Sequence, residues 1–319
     1  MTLPVTPADV AAAERRIRPF IRRTPLMAID GAPLGCDAPV SLKLEFLQHA
    51  GSFKPRGAFA NLVGATVPPA GVTTASGGNH GAATAYAAAR LGLKARIFVP
   101  AIASPAKIAA IRGFGADVVV EGARYADALA LCEAYARDSG ALALHAYDSR
   151  PTIAGQGTVG LEWQQDLAAA GAGIDTLLVA VGGGGLIAGI AAWFAGRVRV
   201  IGVEPAGSRA LHAALQAGRP VDVEIDSVAA DSLGARSAGG LVVDIARAHV
   251  HSVGLGEDSP LGAAQKRLWR ELRVAAEPGG AAAFAALAGG AFRPQKGERV
   301  GVLLCGANVD LDKLAALVG

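Results

Sequence analysis

Short apolar runs alternate with alanine-rich stretches along most of the 319 residues. Runs at Ala95–Val99, Asp117–Val120, Thr176–Val181, Val198–Val203 and Val300–Leu304 are rich in β-branched residues. They lack strict alternation, so they predict strands buried on both faces. Between them, the segments near Asn79–Leu91, Pro105–Gly113, Tyr125–Arg137, Leu186–Phe194, Ser208–Ala217 and Leu261–Arg273 predict helices. Thr6-Pro7-Ala8-Asp9 reads as a capped helix start. The alanines of Gly279–Gly290 permit a tightly packed helix. This order predicts the α/β class, with open, mainly parallel sheets flanked by helices. No internal repeat or long linker is evident.

One stretch needs a membrane test. Thr176 to Gly196 carries no charged residue and is about as long as a spanning helix. Four consecutive glycines lie in its middle, and each costs a helix roughly 1 kcal/mol relative to alanine. Strand, turn and helix therefore explain it better than a membrane span. Half of the residues are hydrophobic (52%) and 18% are charged, enough core material for two domains or one large one. A net charge of +3 with no basic block argues against nucleic acid as a partner. Cys36, Cys132 and Cys305 are far apart and lack metal-ligand spacing. A reducing cytoplasm is expected rather than a disulfide framework.

The chemistry concentrates in three loops. The first is Gly51-Ser52-Phe53-Lys54-Pro55-Arg56-Gly57-Ala58. The chain has only seven lysines against twenty-three arginines, and here one lysine precedes a proline able to open a helix. Such a lysine can attack a carbonyl and form a Schiff base, although most lysines are simply solvated. The second loop is Ser76-Gly77-Gly78-Asn79-His80-Gly81, after a predicted strand and before a helix. The third is Gly182-Gly183-Gly184-Gly185, again between strand and helix, followed by Leu186. Glycines let backbone N–H groups approach a phosphate, and the helix start adds a positive dipole end. Read as Gly183-x-Gly185-x-x-Ala188, with Glu204 some twenty residues on, this loop also fits a dinucleotide fingerprint. Loops at the carboxyl ends of parallel strands can converge on one crevice.

In this order the three segments resemble the pyridoxal-phosphate enzymes of the tryptophan-synthase-β type, and most closely the serine/threonine dehydratases. The resemblance runs from about Arg23 to Asp310. It implies a two-domain fold with a small domain near 62–148, a large one from 1–61 and 149–319, and the cofactor between them. It implies that pyridoxal phosphate is bound through Lys54, Phe53 against the ring, Asn79 at the phenolic oxygen, and Gly182 to Gly185 with the Leu186 amide at the phosphate. Ser76, Gly78, Asn79 and His80 fall where similar enzymes grip the substrate carboxylate, and Ala146 and Tyr147 where they line the pocket. Cys305, in Cys305-Gly306-Ala307-Asn308, resembles the residue facing the pyridine nitrogen. A thiol with an ordinary pKa of about 8.5 leaves that nitrogen unprotonated and the ring a weaker electron sink.

Three departures from the pattern matter. Gly77 stands where serine racemases of this fold carry a serine, which favours dehydration over racemisation. Ala307 replaces a usual glycine. Ala210 falls where some relatives carry a carboxylate of a cation loop, so Glu204 alone makes a poor cation site and no metal is expected. The chain extends only fourteen residues past Cys305, so no isoleucine-responsive effector domain is expected. The implied activity is elimination of water and ammonia from a β-hydroxy amino acid such as L-threonine or L-serine, giving a 2-oxo acid. The expected partners are the amino acid substrate and a second copy of the chain. The alternatives are β-replacement of the cysteine- or threonine-synthase kind, a nicotinamide-dependent oxidoreductase, and a non-catalytic pyridoxal-phosphate carrier.

Overall fold

The computed structural model describes residues 3–319. Ten strands fall into two sheets: β1 (Leu26–Ile29), β2 (Val40–Leu44), β3 (Val72–Ala75), β4 (Ala95–Val99), β5 (Asp117–Val120), β6 (Leu142–Ala143), β7 (Thr176–Ala180), β8 (Arg199–Pro205), β9 (Val250–Gly256) and β10 (Val300–Leu304). The larger sheet has the order β1-β2-β10-β7-β8-β9, and the smaller β5-β4-β3-β6. Every pairing is parallel except that of β1 with β2. Strands β7 and β10 are buried at every position, as continuous apolar runs between helix layers require.

Each sheet has its own apolar core. One gathers Leu42, Leu178, Ile187, Val200, Phe284 and Val302 around the larger sheet. The other gathers Phe59, Val72, Ala83, Ile97 and Ile111 around the smaller. The smaller sheet takes its strands from 72–143, inside the sequence of the larger.

The charge-free stretch from Thr176 resolves into β7, the glycine turn and the ten-residue helix Gly185–Phe194. Among the described residues, no helix is long and apolar enough to cross a membrane. The expected helix at Ser208 begins at Ala210 instead, because Ser208 turns to donate to the Leu233 carbonyl (2.7 Å) and Arg209 is not helical. The helix Lys54–Leu62 packs on the long helix Arg150–Ala169 where a Cβ at Gly155 would strike the Arg56 carbonyl. This close approach seats the Lys54 helix on Arg150–Ala169, while its Ala58, Phe59 and Leu62 join the core of the smaller sheet.

Candidate active site

Five loops at the carboxyl ends of strands meet in one cleft. Lys54 follows β2, the Ser76 loop follows β3, His145–Asp148 follows β6, the tetraglycine follows β7, and Cys305 follows β10. A cavity of about 50 Å³ is lined by Phe53, Lys54, Asn79, Tyr147, Gly182, Gly183, Gly184, Gly185, Leu186, Glu277 and Cys305.

The Lys54 amine donates to the Ala146 carbonyl (2.9 Å) and lies 5.1 Å from the centre of the Phe53 ring. Burial lowers its pKa to about 8, against the opposing pull of Cys305 and Glu277. A substantial neutral fraction near neutrality is what a nucleophile or base needs. The Cys305 thiol is pushed the other way, to about 12, by burial first and by Glu277 second. It remains a thiol and donates weakly to the Gly279 carbonyl (3.6 Å).

Side chains are excluded from the tetraglycine. A Cβ at Gly183 or Gly185 would run into Tyr147, and one at Gly184, where φ is +89°, would strike Val242. Gly184 caps the helix Gly185–Phe194 without a side-chain bond, so its first-turn N–H groups stay free. Backbone amides that no side chain shields, at a helix start, form a cradle that fits a phosphate. Tyr147 walls the cradle and anchors itself by donating to the Ser237 carbonyl (3.1 Å). Its neighbour Asp148 accepts from the amides of Gly240 (2.9 Å) and Leu241 (3.0 Å), pinning this loop to a second helix start.

Asn79 opens the helix Asn79–Arg90, and its side chain is fixed at both ends. Its amide donates to Glu277 (2.6 Å) and its oxygen accepts from Asn308 (2.7 Å). Ser76, Gly78 and His80 lie outside the cavity wall. Ser76 accepts from the Gly78 amide (3.2 Å), and a Cβ at Gly78 would meet only the Asp231 carbonyl. The His80 ring is buried against the Leu144 carbonyl (3.2 Å), and burial lowers its pKa to about 3. Only its backbone is left to face a ligand. Glu204 spends both oxygens on the amides of Leu211 and His212 (2.8 Å each), as a helix anchor.

Glu277 was not legible as a site residue, because a lone glutamate before Pro278 reads as a helix cap. It does occupy that cap position, yet its carboxylate bonds no helix amide and turns into the cavity.

Residues 17–306 match the family of pyridoxal-phosphate dependent enzymes. The chain is 39% identical to the phenylserine dehydratase of Ralstonia pickettii, covering all of this chain and 97% of that one. It is 35% identical to the L-threonine ammonia-lyase of Geobacter sulfurreducens, over 97% of this chain and 77% of that one. Among solved structures, maize serine racemase superposes with a TM-score of 0.91 at 31% identity, covering 98% of this chain and 96% of that one. With the cleft, the glycine cradle and the match over nearly its whole length, this chain belongs to the pyridoxal-phosphate dependent enzymes.

Proposed function

We propose that this enzyme removes water and then ammonia from a β-hydroxy amino acid, leaving a 2-oxo acid, and that Lys54 is its covalent anchor and base. The observation carrying this reading is that Lys54, the tetraglycine, Asn79 and Cys305 line one cavity although they are spread over some 250 residues of sequence. The relatives named a phenylserine dehydratase and a threonine ammonia-lyase support the reaction class. They make threonine, serine and phenylserine the substrates to test first.

The amides of Gly183 to Leu186 would hold the cofactor phosphate, Phe53 would lie against the ring, Asn79 would bind its phenolic oxygen, and Cys305 would face its nitrogen. When bound, pyridoxal phosphate supplies an electron sink that acidifies the substrate Cα. Lys54, whose pKa desolvation lowers to about 8 so that a neutral fraction is present near neutral pH, takes that proton at Nζ. Cys305, kept as a neutral thiol, offers no negative charge to hold the ring nitrogen protonated as a carboxylate would. A weaker sink favours prompt loss of the β-substituent. The first-turn amides of Asn79 and His80 are available to a substrate carboxylate, while that of Gly78 is taken by Ser76.

Borohydride reduction of the holoenzyme followed by peptide mapping tests the anchor. The label is expected on Lys54, and a label on Lys43 or Lys94 overturns the assignment. We also read the division into 62–148 and the remainder as the division into domains, and the enzyme as a cytoplasmic homodimer. Its three free, buried cysteines accord with a reducing compartment.

A further inference from the structure

Glu277 is 3% exposed, and its two oxygens have unequal surroundings. Oε1 accepts from Asn79, while Oε2 is buried with no partner; the residue belongs to the cavity wall with Lys54 and Cys305. The surrounding sequence is built around this carboxyl. A Cβ at Gly306 would collide with Oε1, so glycine there clears the space. Asn308 holds Asn79 (2.7 Å) and the Ala50 carbonyl (2.8 Å), fixing the amide that fixes Glu277. Gly306 and Asn308 of the tail motif thus serve the placement of Glu277.

The charged and titratable groups around it come from several elements. Lys54 faces it from the helix Lys54–Leu62, Lys107 from Pro105–Gly113, Asp231 from Ala230–Leu233, and Cys305 from the end of β10. Neither cation is free to neutralise it. Lys107 is paired with Asp231, and the Lys54 amine is bound to the Ala146 carbonyl. A lone ionised oxygen in such a place is costly, and the group relieves this by keeping its proton. Burial accordingly raises its pKa, with Lys107 the largest opposing influence.

We infer that Glu277 is a neutral, proton-bearing carboxyl that donates a hydrogen bond from Oε2 to an acceptor atom of the bound cofactor, and that Asn79 and Asn308 are its positioning residues. The inference rests on the proposed cofactor site. A buried carboxylic acid kept neutral so that it can donate is an established device for stabilising a developing oxyanion. Here it accounts for the unpartnered oxygen and for Glu277 failing to cap its own helix.

Glu277→Gln keeps an acceptor for Asn79 and, through its amide NH2, a neutral donor, but loses the titrating proton; Glu277→Met loses the donor as well. The infrared difference between wild type and Glu277→Gln, taken on cofactor-free protein, is expected to show the carbonyl stretch of a protonated carboxyl at neutral pH. In the holoenzyme, the visible band of the cofactor is expected to lose one step of its pH titration in the variant. Its kcat/KM should stay close to wild type. That of Glu277→Met, which has no donor, should fall at least about tenfold, the low side of what a hydrogen bond to a charged group contributes. An ionised carboxylate in the infrared difference, wild-type titration in Glu277→Gln, or a Glu277→Met variant with kcat/KM within twofold of wild type overturns the inference. Failure of the cofactor to label Lys54 overturns the underlying site instead, which the infrared experiment does not depend on. Glu277→Asp, which keeps the acid on a shorter arm, should recover the infrared band while recovering activity only in part.

Discussion

Lys54 and Arg56 are two residues apart on one helix, yet they enter opposite electrostatic worlds. Arg56 is fully buried and fully paired: it donates to Glu45 (2.7 and 2.9 Å) and Thr158 (3.1 Å), and lies 3.2 Å from Glu162. Glu162 also receives Lys43 (2.7 Å) and the Thr24 amide (2.8 Å). The response is ionisation. Arg56 is raised above its ordinary range by Glu45 and Glu162 against the cost of burial. Glu162 is held down at about 2 by Arg56 and Lys43, again against burial. Across the helix, the half-buried Lys54 and the buried Glu277 and Cys305 lack such partners, and each is driven towards its neutral form. Burial alone does not decide the charge of a group; the completeness of its pairing does. One face of this helix is locked ionic scaffold, and the other keeps its protons negotiable, as acid–base chemistry requires.

The comparison predicts that activity and stability separate along this helix. Lys54→Ala should lower turnover by roughly 10³-fold or more, about 4 kcal/mol of barrier, because anchor and base go together. Its cost in stability should stay within about 1 kcal/mol, since one hydrogen bond is lost and a desolvated amine is removed. Denaturant unfolding of the cofactor-free protein reads this. The sign of the pH effect follows. The native pKa of Lys54 is depressed to about 8, so its penalty on folding is present below pH 8 and is relieved as pH rises towards the unfolded value near 10.4. That gain should vanish in the variant, and a stability loss as large as the activity loss would erase the distinction.

Arg56→Met should do the reverse in kind. It leaves Glu45 and Glu162 buried without their principal cation, a loss of about 3–5 kcal/mol. The acid limb should also move. Glu162 contributes stability above its unfolded pKa of about 4.3, lost as pH falls through about 2. Without Arg56 that loss should begin at higher pH. A variant as stable as the parent at pH 7 and pH 4 would show the network to be dispensable.

How much of this could be read from the sequence depended on how local the signal was. The runs Ala95–Val99 and Val300–Leu304 coincide with β4 and β10, because a doubly buried strand is written as a short β-branched run. Asp117–Val120 coincides with β5, but that strand lies at the sheet edge with Asp117 and Val120 exposed, so the expected burial on both faces fails there. The helix Arg150–Ala169 gave no periodic signal: it is buried on most sides and carries glycines at 155, 157 and 160. Strand β9 is partly exposed and contains two glycines, which dilutes its pattern. In the cleft, Lys54 and the tetraglycine were legible because their residue types suit few other purposes in that setting. Glu277, Tyr147 as the wall of the cradle, and the Arg56 network are products of long-range packing. Their partners lie roughly 10 to 200 residues away, and no local pattern announces them.

The smallest expected effect concerns Gly77, where structural likeness does not discriminate, since the maize serine racemase superposes on this chain along nearly its whole length. Glycine has no proton to return to the substrate, so dehydration should greatly exceed racemisation of L-serine. Introducing a serine is not a clean test by itself. A Cβ at Gly77 would lie 2.6 Å from the Ala103 Cβ and 3.0 Å from Val99 Cγ1, so the loop after β4 has to shift. Gly77→Ser alone should therefore cost about 1–3 kcal/mol from overpacking and lower both products together. Gly77→Ser with Ala103→Gly removes the nearest obstruction. The double variant should regain dehydration and raise the ratio of D-serine to pyruvate severalfold over the parent. If the ratio does not change while the variant folds and turns over, the absent hydroxyl is not what restrains racemisation. The weak electron sink at Cys305 would then carry that restraint, and its replacement by aspartate would be the residue change that moves the ratio.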